Sequence, residues 1–300
     1  MRRDGRCDAR WQQRRRSNCK DRNSKLIMSN QFNTRRCREL YERTLRPLLA
    51  KYPLAPYLDT RNEFYLEILG RHGAFESGRH LVDLGAGLSI FGPLCRAHGM
   101  RVTLVDDFGG GGGVEMDQRG QETPLLAAFE AELGITVVRE NFLEHTLPLP
   151  DNDVDVVTCF HSLEHWHHSP KRLFREITRV LKPGGLLVLV TPNAVNLRKR
   201  LYVLLGRNNF PPLRDWYEAG DPIYRGHVRE PVIRDLQQLM EWNGLQVVAT
   251  YGRNFIGRKS KALSFLPASL VGYIAAGSEW LLRFFPSLCS DIHVIGRAPA

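Results

Sequence analysis

Two stretches of the chain hold residue types and spacings that could do chemistry. The first is His80-Leu81-Val82-Asp83-Leu84-Gly85-Ala86-Gly87. A short apolar run closing on an acid and Gly-x-Gly reads as a buried strand feeding a tight turn. Glycines in such a turn let backbone amides approach a ligand, because no Cβ intervenes. The second stretch is Phe160-His161-Ser162-Leu163-Glu164-His165. Imidazoles with an ordinary pKa near 6.5 suit proton transfer at neutral pH, which makes His165 the first and His161 the second candidate for a general base. His161-x-x-Glu164-His165 also fits the inverted zinc-peptidase pattern, in which two histidines on one helical face hold the metal.

The elements around these stretches decide between the possibilities. Leu88 to His98 has helical apolar spacing, so the Gly-rich turn joins a strand to a helix, the first unit of a nucleotide-binding sheet. Ile90 stands where a dinucleotide fingerprint has its third glycine, which speaks against NAD. A second strand, Arg101 to Asp106, ends in acid. Asp106 falls where such folds place a carboxylate on ribose hydroxyls, and Asp107 could share that role. Further strands are expected at Thr136–Arg139, Asp153–Phe160, Leu186–Val190, Leu245–Tyr251 and Asp291–Gly296. Helices alternate with them at Leu125–Leu133 and Pro170–Leu181. The pattern predicts an α/β fold with a doubly wound, mostly parallel sheet.

The blocks Asp83-x-Gly85-x-Gly87, Asp106, Leu147-Pro148-Leu149-Pro150-Asp151, Leu163-Glu164-His165 and Arg179-Val180-Leu181-Lys182-Pro183-Gly184-Gly185 resemble the class I S-adenosylmethionine-dependent methyltransferases of the ubiquinone/menaquinone-biosynthesis type. The resemblance implies a seven-stranded Rossmann-like sheet whose last strand is antiparallel, and S-adenosyl-L-methionine as cofactor. It places Asp83, Gly85 and Gly87 around the methionine part, Asp106 on the ribose, Asn141 and Phe142 beside the adenine, and Phe160 and His161 at the transfer site. No metal site is expected. Against that series of blocks, the peptidase pattern is the weaker alternative, and a non-catalytic cofactor-binding module is another.

Residues 1–30 are expected to form a disordered basic tail, and 31–300 a single domain with a cofactor-binding core at 79–193 and a substrate cover at 194–289. The tail to Ile27 carries ten Lys/Arg against three Asp, a net +7 of the chain's +10. With the rest nearly balanced, specific nucleic-acid binding is not expected. Arg35 to Lys51 and Arg61 to Arg71 predict two helices capping one side of the sheet. Phe108 to Pro124, with five consecutive glycines, predicts a flexible insertion, and Phe210 to Gly226 a loop over the site. A basic helix is expected at Val195–Leu205 and another from His227 to Trp242. The apolar stretch 262–288 is expected as a core or lid helix; Pro267, Glu279 and Arg283 interrupt it, so it is not expected to span a bilayer. Six scattered cysteines without C-x-x-C suit a reducing cytoplasm.

The place after the fourth strand also narrows the acceptor. Amino-directed enzymes carry Asn/Asp-Pro-Pro-aromatic there, and this chain has Phe160-His161-Ser162-Leu163. Cytosine-C5 enzymes use Pro-Cys, and Cys159 instead follows Thr158 inside a strand. The expected acceptor is a small-molecule, lipid- or glycan-linked hydroxyl. The apolar C-terminal stretch favours an amphipathic one, with weak association to a membrane surface.

Overall fold

The computed structural model describes residues 35–52, 58–108, 119–219, 224, 226–254, 267–282 and 284–300. The basic tail and the five consecutive glycines lie outside them.

Among the described residues, two helices precede the sheet: α1 at 35–49, with a π-helical turn at Tyr41–Leu45, and α2 at Thr60–Arg71. Asp59 caps α2 by accepting from the Asn62 amide at 2.8 Å. Strand β1 (His80–Leu84) then leads through the Gly-rich turn to α3 (Phe91–Ala97) and β2 (Arg101–Asp106). They are followed by α4 (Arg119–Leu133), β3 (Thr136–Arg139), β4 (Val154–Phe160), α5 (Lys171–Val180) and β5 (Leu181–Pro192). The C-terminal part adds α6 (Leu197–Leu204), α7 (Leu213–Tyr217), α8 (Ile233–Trp242), β6 (Gln246–Arg253), α9 (Ala268–Leu282) and β7 (Asp291–Arg297).

The seven strands form one sheet in the order β3-β2-β1-β4-β5-β7-β6. β1 to β5 pair in parallel, and β7 runs antiparallel to both β5 and β6. All five residues of β1 are buried. That follows from helices on both faces, which leave a parallel strand no solvent side. On one face Phe64, Ile68, Phe91, Leu94 and Phe129 pack on Leu81, Val102, Leu104 and Val156. On the other, Phe174, Ile177, Leu236 and Met240 pack on Val82, Leu84, Val157 and Leu189. Chain order reverses between β1 and β4, so a crevice opens at the C-terminal ends of β1, β2 and β4.

Several expectations need correction. The segment 119–124 is helical, as the first turns of α4, and not part of a flexible insertion. The expected loop at 210–226 contains α7. α8 begins at Ile233 and not at His227, because Pro231 biases the residue before it to extended backbone. The Val232 amide then donates to Asp235 Oδ2 at 3.1 Å, which starts the helix. α9 is not a core helix: Val271 is buried, while Tyr273 is 78% and Trp280 59% exposed. Among the described residues, no helix is long and apolar enough to cross a membrane.

Candidate functional site

The turn after β1 closes on Asp106 at the end of β2. The Gly87 amide donates to Asp106 Oδ2 at 2.8 Å, and the Phe108 amide donates to Oδ1 at 2.7 Å. Gly85 and Gly87 both have left-handed backbone, at φ +69° and +48°. A Cβ at Gly85 would run into the Ser162 side chain, so β1 and the segment after β4 touch there only because the residue is glycine. A Cβ at Gly87 would meet nothing within 4 Å, so the turn is open on that side.

The two acids on this edge differ in surroundings. Asp83 is 2% exposed, and Thr158 Oγ1 of β4 donates to its Oδ1 at 2.6 Å. Burial pushes its carboxyl up to about 7, against the Thr158 hydrogen bond and with a smaller push from Asp106. Burial also raises Asp106, opposed by the Gly87 and Phe108 amides and reinforced by Asp107. Asp107 itself is exposed, and Asp106 is the one of the pair that turns back to the glycines.

Beside the turn, Asn141 and Phe142 play separate parts. Asn141 Oδ1 accepts from the Leu143 amide at 3.1 Å and its Nδ2 donates to Glu144, which shapes the loop after β3. The Phe142 ring lies edge-on to Trp166, with centroids 5.8 Å apart. Trp166 Nε1 donates to Ser162 Oγ at 3.0 Å, which ties the aromatic pair to the Gly85 contact. Phe160 packs between Tyr65 and Phe91, at centroid distances of 4.1 and 4.9 Å.

The histidines follow β4. His161 has a left-handed φ of +51°, uncommon for a residue with a side chain. Its Nε2 lies 3.0 Å from the Tyr65 hydroxyl and its Nδ1 3.6 Å from Glu164 Oε1. Leu163–His165 is a single 3₁₀ turn, so the helix that the peptidase pattern requires is not formed. His165 meets His227 edge-to-face at 4.8 Å between centroids. His227 is lowered below the usual histidine range, chiefly by burial, with Glu164 opposing. His167 and His168 are exposed.

Sequence reasoning missed Tyr65, Thr158, Ser162 and Trp166. Each meets its partner from a different element, and nothing in its local spacing distinguishes it. The one local signal was Gly85, whose missing Cβ implies a close neighbour. The site as a whole joins a left-handed Gly turn open at Gly87, a carboxylate in reach of that opening, and a histidine-bearing segment alongside. Those features fit a nucleoside ligand bound through vicinal hydroxyls and backbone amides.

The strand order, the antiparallel β7 and the acidic Gly-x-Gly turn define a class I, Rossmann-like methyltransferase fold of the S-adenosylmethionine-dependent kind. A family described as "Methyltransferase domain" matches residues 57–250, well over half of the chain, and the chain belongs to that family. It is 32% identical over 171 residues to a probable S-adenosylmethionine-dependent methyltransferase of Mycobacterium tuberculosis, covering 55% of this chain and 52% of that protein. A protein of the same description from Mycolicibacterium smegmatis is 36% identical over 107 residues, 35% of this chain and 34% of that one. A ubiquinone biosynthesis O-methyltransferase of Coxiella burnetii is 27% identical over 129 residues, 43% of this chain and 50% of that protein. The chain thus spans a third to about half the length of these relatives.

Proposed function

We propose that this protein transfers a methyl group from S-adenosyl-L-methionine to a hydroxyl on a small-molecule, lipid-linked or glycan-linked acceptor, in the cytoplasm. The observation that carries the cofactor assignment is the Asp106 carboxylate, held by the Gly87 and Phe108 amides beside an open Gly turn at the strand-order reversal. In this reading Asp106 takes the ribose hydroxyls, the turn amides and Asp83 surround the methionine part, and Asn141 and Phe142 flank the adenine. Membership of the methyltransferase domain family and the printed descriptions of the mycobacterial relatives support it.

The bound cofactor supplies a methyl already activated on a sulfonium. What remains for the chain is alignment, which can be worth on the order of 7–11 kcal/mol, and removal of the acceptor proton. His161 is the better-placed base. It leaves β4 directly, and it is held between Tyr65 and Glu164 in a left-handed conformation of the kind that concentrates at active sites. The C5- and amino-directed signatures are missing from 158–163, which supports a hydroxyl acceptor, as does the description of the Coxiella relative.

An amphipathic acceptor at an anionic membrane surface is favoured by one further observation. Residues 194–214 carry five Lys/Arg and no Asp/Glu, and the same region exposes Leu204 at 81%, Leu205 at 73% and Phe210 at 74%. Apolar side chains among cations suit a lipid headgroup boundary.

The test is methyl-labelled S-adenosylmethionine offered to hydroxyl-bearing lipid, glycan and small-molecule fractions, with the label located by mass spectrometry. Label on oxygen, lost in His161→Ala, is expected. Label on nitrogen or carbon would overturn the hydroxyl assignment.

A further inference from the structure

Just after β4, three potential ligands meet from two distant parts of the chain, the 164–165 pair and residue 227. Glu164, His165 and His227 each bring one donor atom, and these atoms lie within 4.8 Å of one another. The approach is built by the backbone. The Glu164 carbonyl accepts from the Val228 amide at 2.8 Å and from the Arg229 amide at 3.2 Å, which pins the 227–230 segment against the 3₁₀ turn.

Two independent features point to a cation. The Glu164 side chain is fully buried, yet neither of its carboxylate oxygens has a hydrogen-bond partner. His161 Nδ1 comes only to 3.6 Å of Oε1, beyond hydrogen-bond distance, and a buried carboxylate that accepts no hydrogen bond is costly and normally paired or bound to a metal. His227, in turn, is prepared as a ligand. Its Nδ1 lies 2.8 Å from Glu230 Oε1, and Glu230 is itself paired with Lys199. A carboxylate on one imidazole nitrogen fixes the tautomer and ring direction and leaves Nε2 for a metal.

We propose that Glu164, His165 and His227 form a binding site for a divalent transition-metal ion, with one or more coordination positions left open. Two imidazole nitrogens and one carboxylate oxygen suit zinc, cobalt, iron or manganese, and not the all-oxygen shells of calcium or magnesium. This departs from the expectation of no metal. It also differs from the peptidase pattern, because His227 replaces His161 and Glu164 is a ligand instead of a base. His161 stays available for the acceptor proton. The site stands on its own geometry and does not rest on the methyl-transfer reading.

The test uses the full chain, stripped with a chelator and titrated with cobalt(II) without any cofactor. One cobalt per chain is expected, seen as visible d–d absorption and displaced by zinc(II). His227→Ala and Glu164→Gln are each expected to weaken that binding at least 100-fold, and Glu230→Gln by about 10–100-fold as the group behind a ligand. Melting curves show that each variant is folded; should Glu164→Gln unfold, His227→Ala decides. Equal cobalt binding by the wild type and the folded variants, or no stoichiometric binding at micromolar metal, would overturn the proposal. Binding of S-adenosylmethionine is read separately by calorimetry, so its failure leaves the metal result interpretable.

Discussion

The amide of Gly87 donates to the carboxylate of Asp106 across the mouth of the crevice, at 2.8 Å. The contact joins the ends of β1 and β2, and it turns the carboxylate toward the Gly-rich turn. Asp106→Ala should therefore lower affinity for S-adenosylmethionine at least tenfold. The two lost backbone hydrogen bonds should cost about 1–3 kcal/mol of stability. Calorimetry and urea unfolding read the two effects separately. An unchanged affinity in a folded variant would place the ribose elsewhere.

Gly85→Ala should be among the more damaging single changes to this edge. It combines a left-handed φ of +69° with a collision between the new methyl and Ser162. A loss on the order of 2–4 kcal/mol is expected in urea denaturation. Gly78 provides the control, since its φ is +83° but a Cβ there meets nothing within 4 Å. Gly78→Ala should cost only about 1 kcal/mol. Ser162→Gly in the Gly85→Ala background should recover part of the loss, and no recovery would locate the strain elsewhere.

The pH dependence of stability carries a sign. Burial raises the Asp83 carboxyl from 3.8 to about 7, so between those values the folded chain holds a proton that the unfolded chain has released. Stability of the cofactor-free protein should then fall as pH rises from about 4 to 7, by up to about 1.4 kcal/mol per pH unit from this group. It should level off above that range. Asp83→Asn, which keeps an acceptor for Thr158, should flatten the slope and leave the contribution of Asp106, also raised by burial. Melting temperatures at pH 5, 6, 7 and 8 check this, and a variant with an undiminished slope would contradict it.

Much of the scaffold was legible in local pattern. Short runs that are apolar apart from a single acid, Leu81–Leu84 around Asp83 and Val154–Val157 around Asp155, marked the largely buried strands β1 and β4, and strands β2 and β3 fall at their expected bounds. The Gly-x-Gly turn and the acid at the end of β2 were legible for the same reason, since both are requirements of backbone geometry. The histidine cluster was legible only in part. His161, Glu164 and His165 stood out as a motif, but the arrival of His227 depends on a backbone pairing with Glu164 that no periodicity records. Tyr65 reaches His161 from a helix before the sheet, which is likewise a matter of tertiary packing. Apolar spacing alone extends α8 back toward His227, whereas Pro231 breaks the helix and it starts at Ile233.

The exposed apolar residues of α6 and α7 supply a further expectation. Full-length protein should co-sediment with vesicles containing anionic lipid, and bind less as salt is raised. Leu204→Ser with Trp216→Ser should reduce that binding several-fold without lowering the melting temperature, because both side chains are already mostly exposed. Equal binding by the variant would show that this face does not touch the lipid.

The most direct test of the whole account is calorimetric titration of the purified chain with S-adenosylmethionine and S-adenosylhomocysteine, beside Asp106→Ala and an NAD control. One site per chain with micromolar affinity for both ligands, lost in the variant and absent for NAD, is the expected result. A folded protein that binds neither ligand, or that binds NAD in their place, would contradict the assignment of this crevice to S-adenosylmethionine.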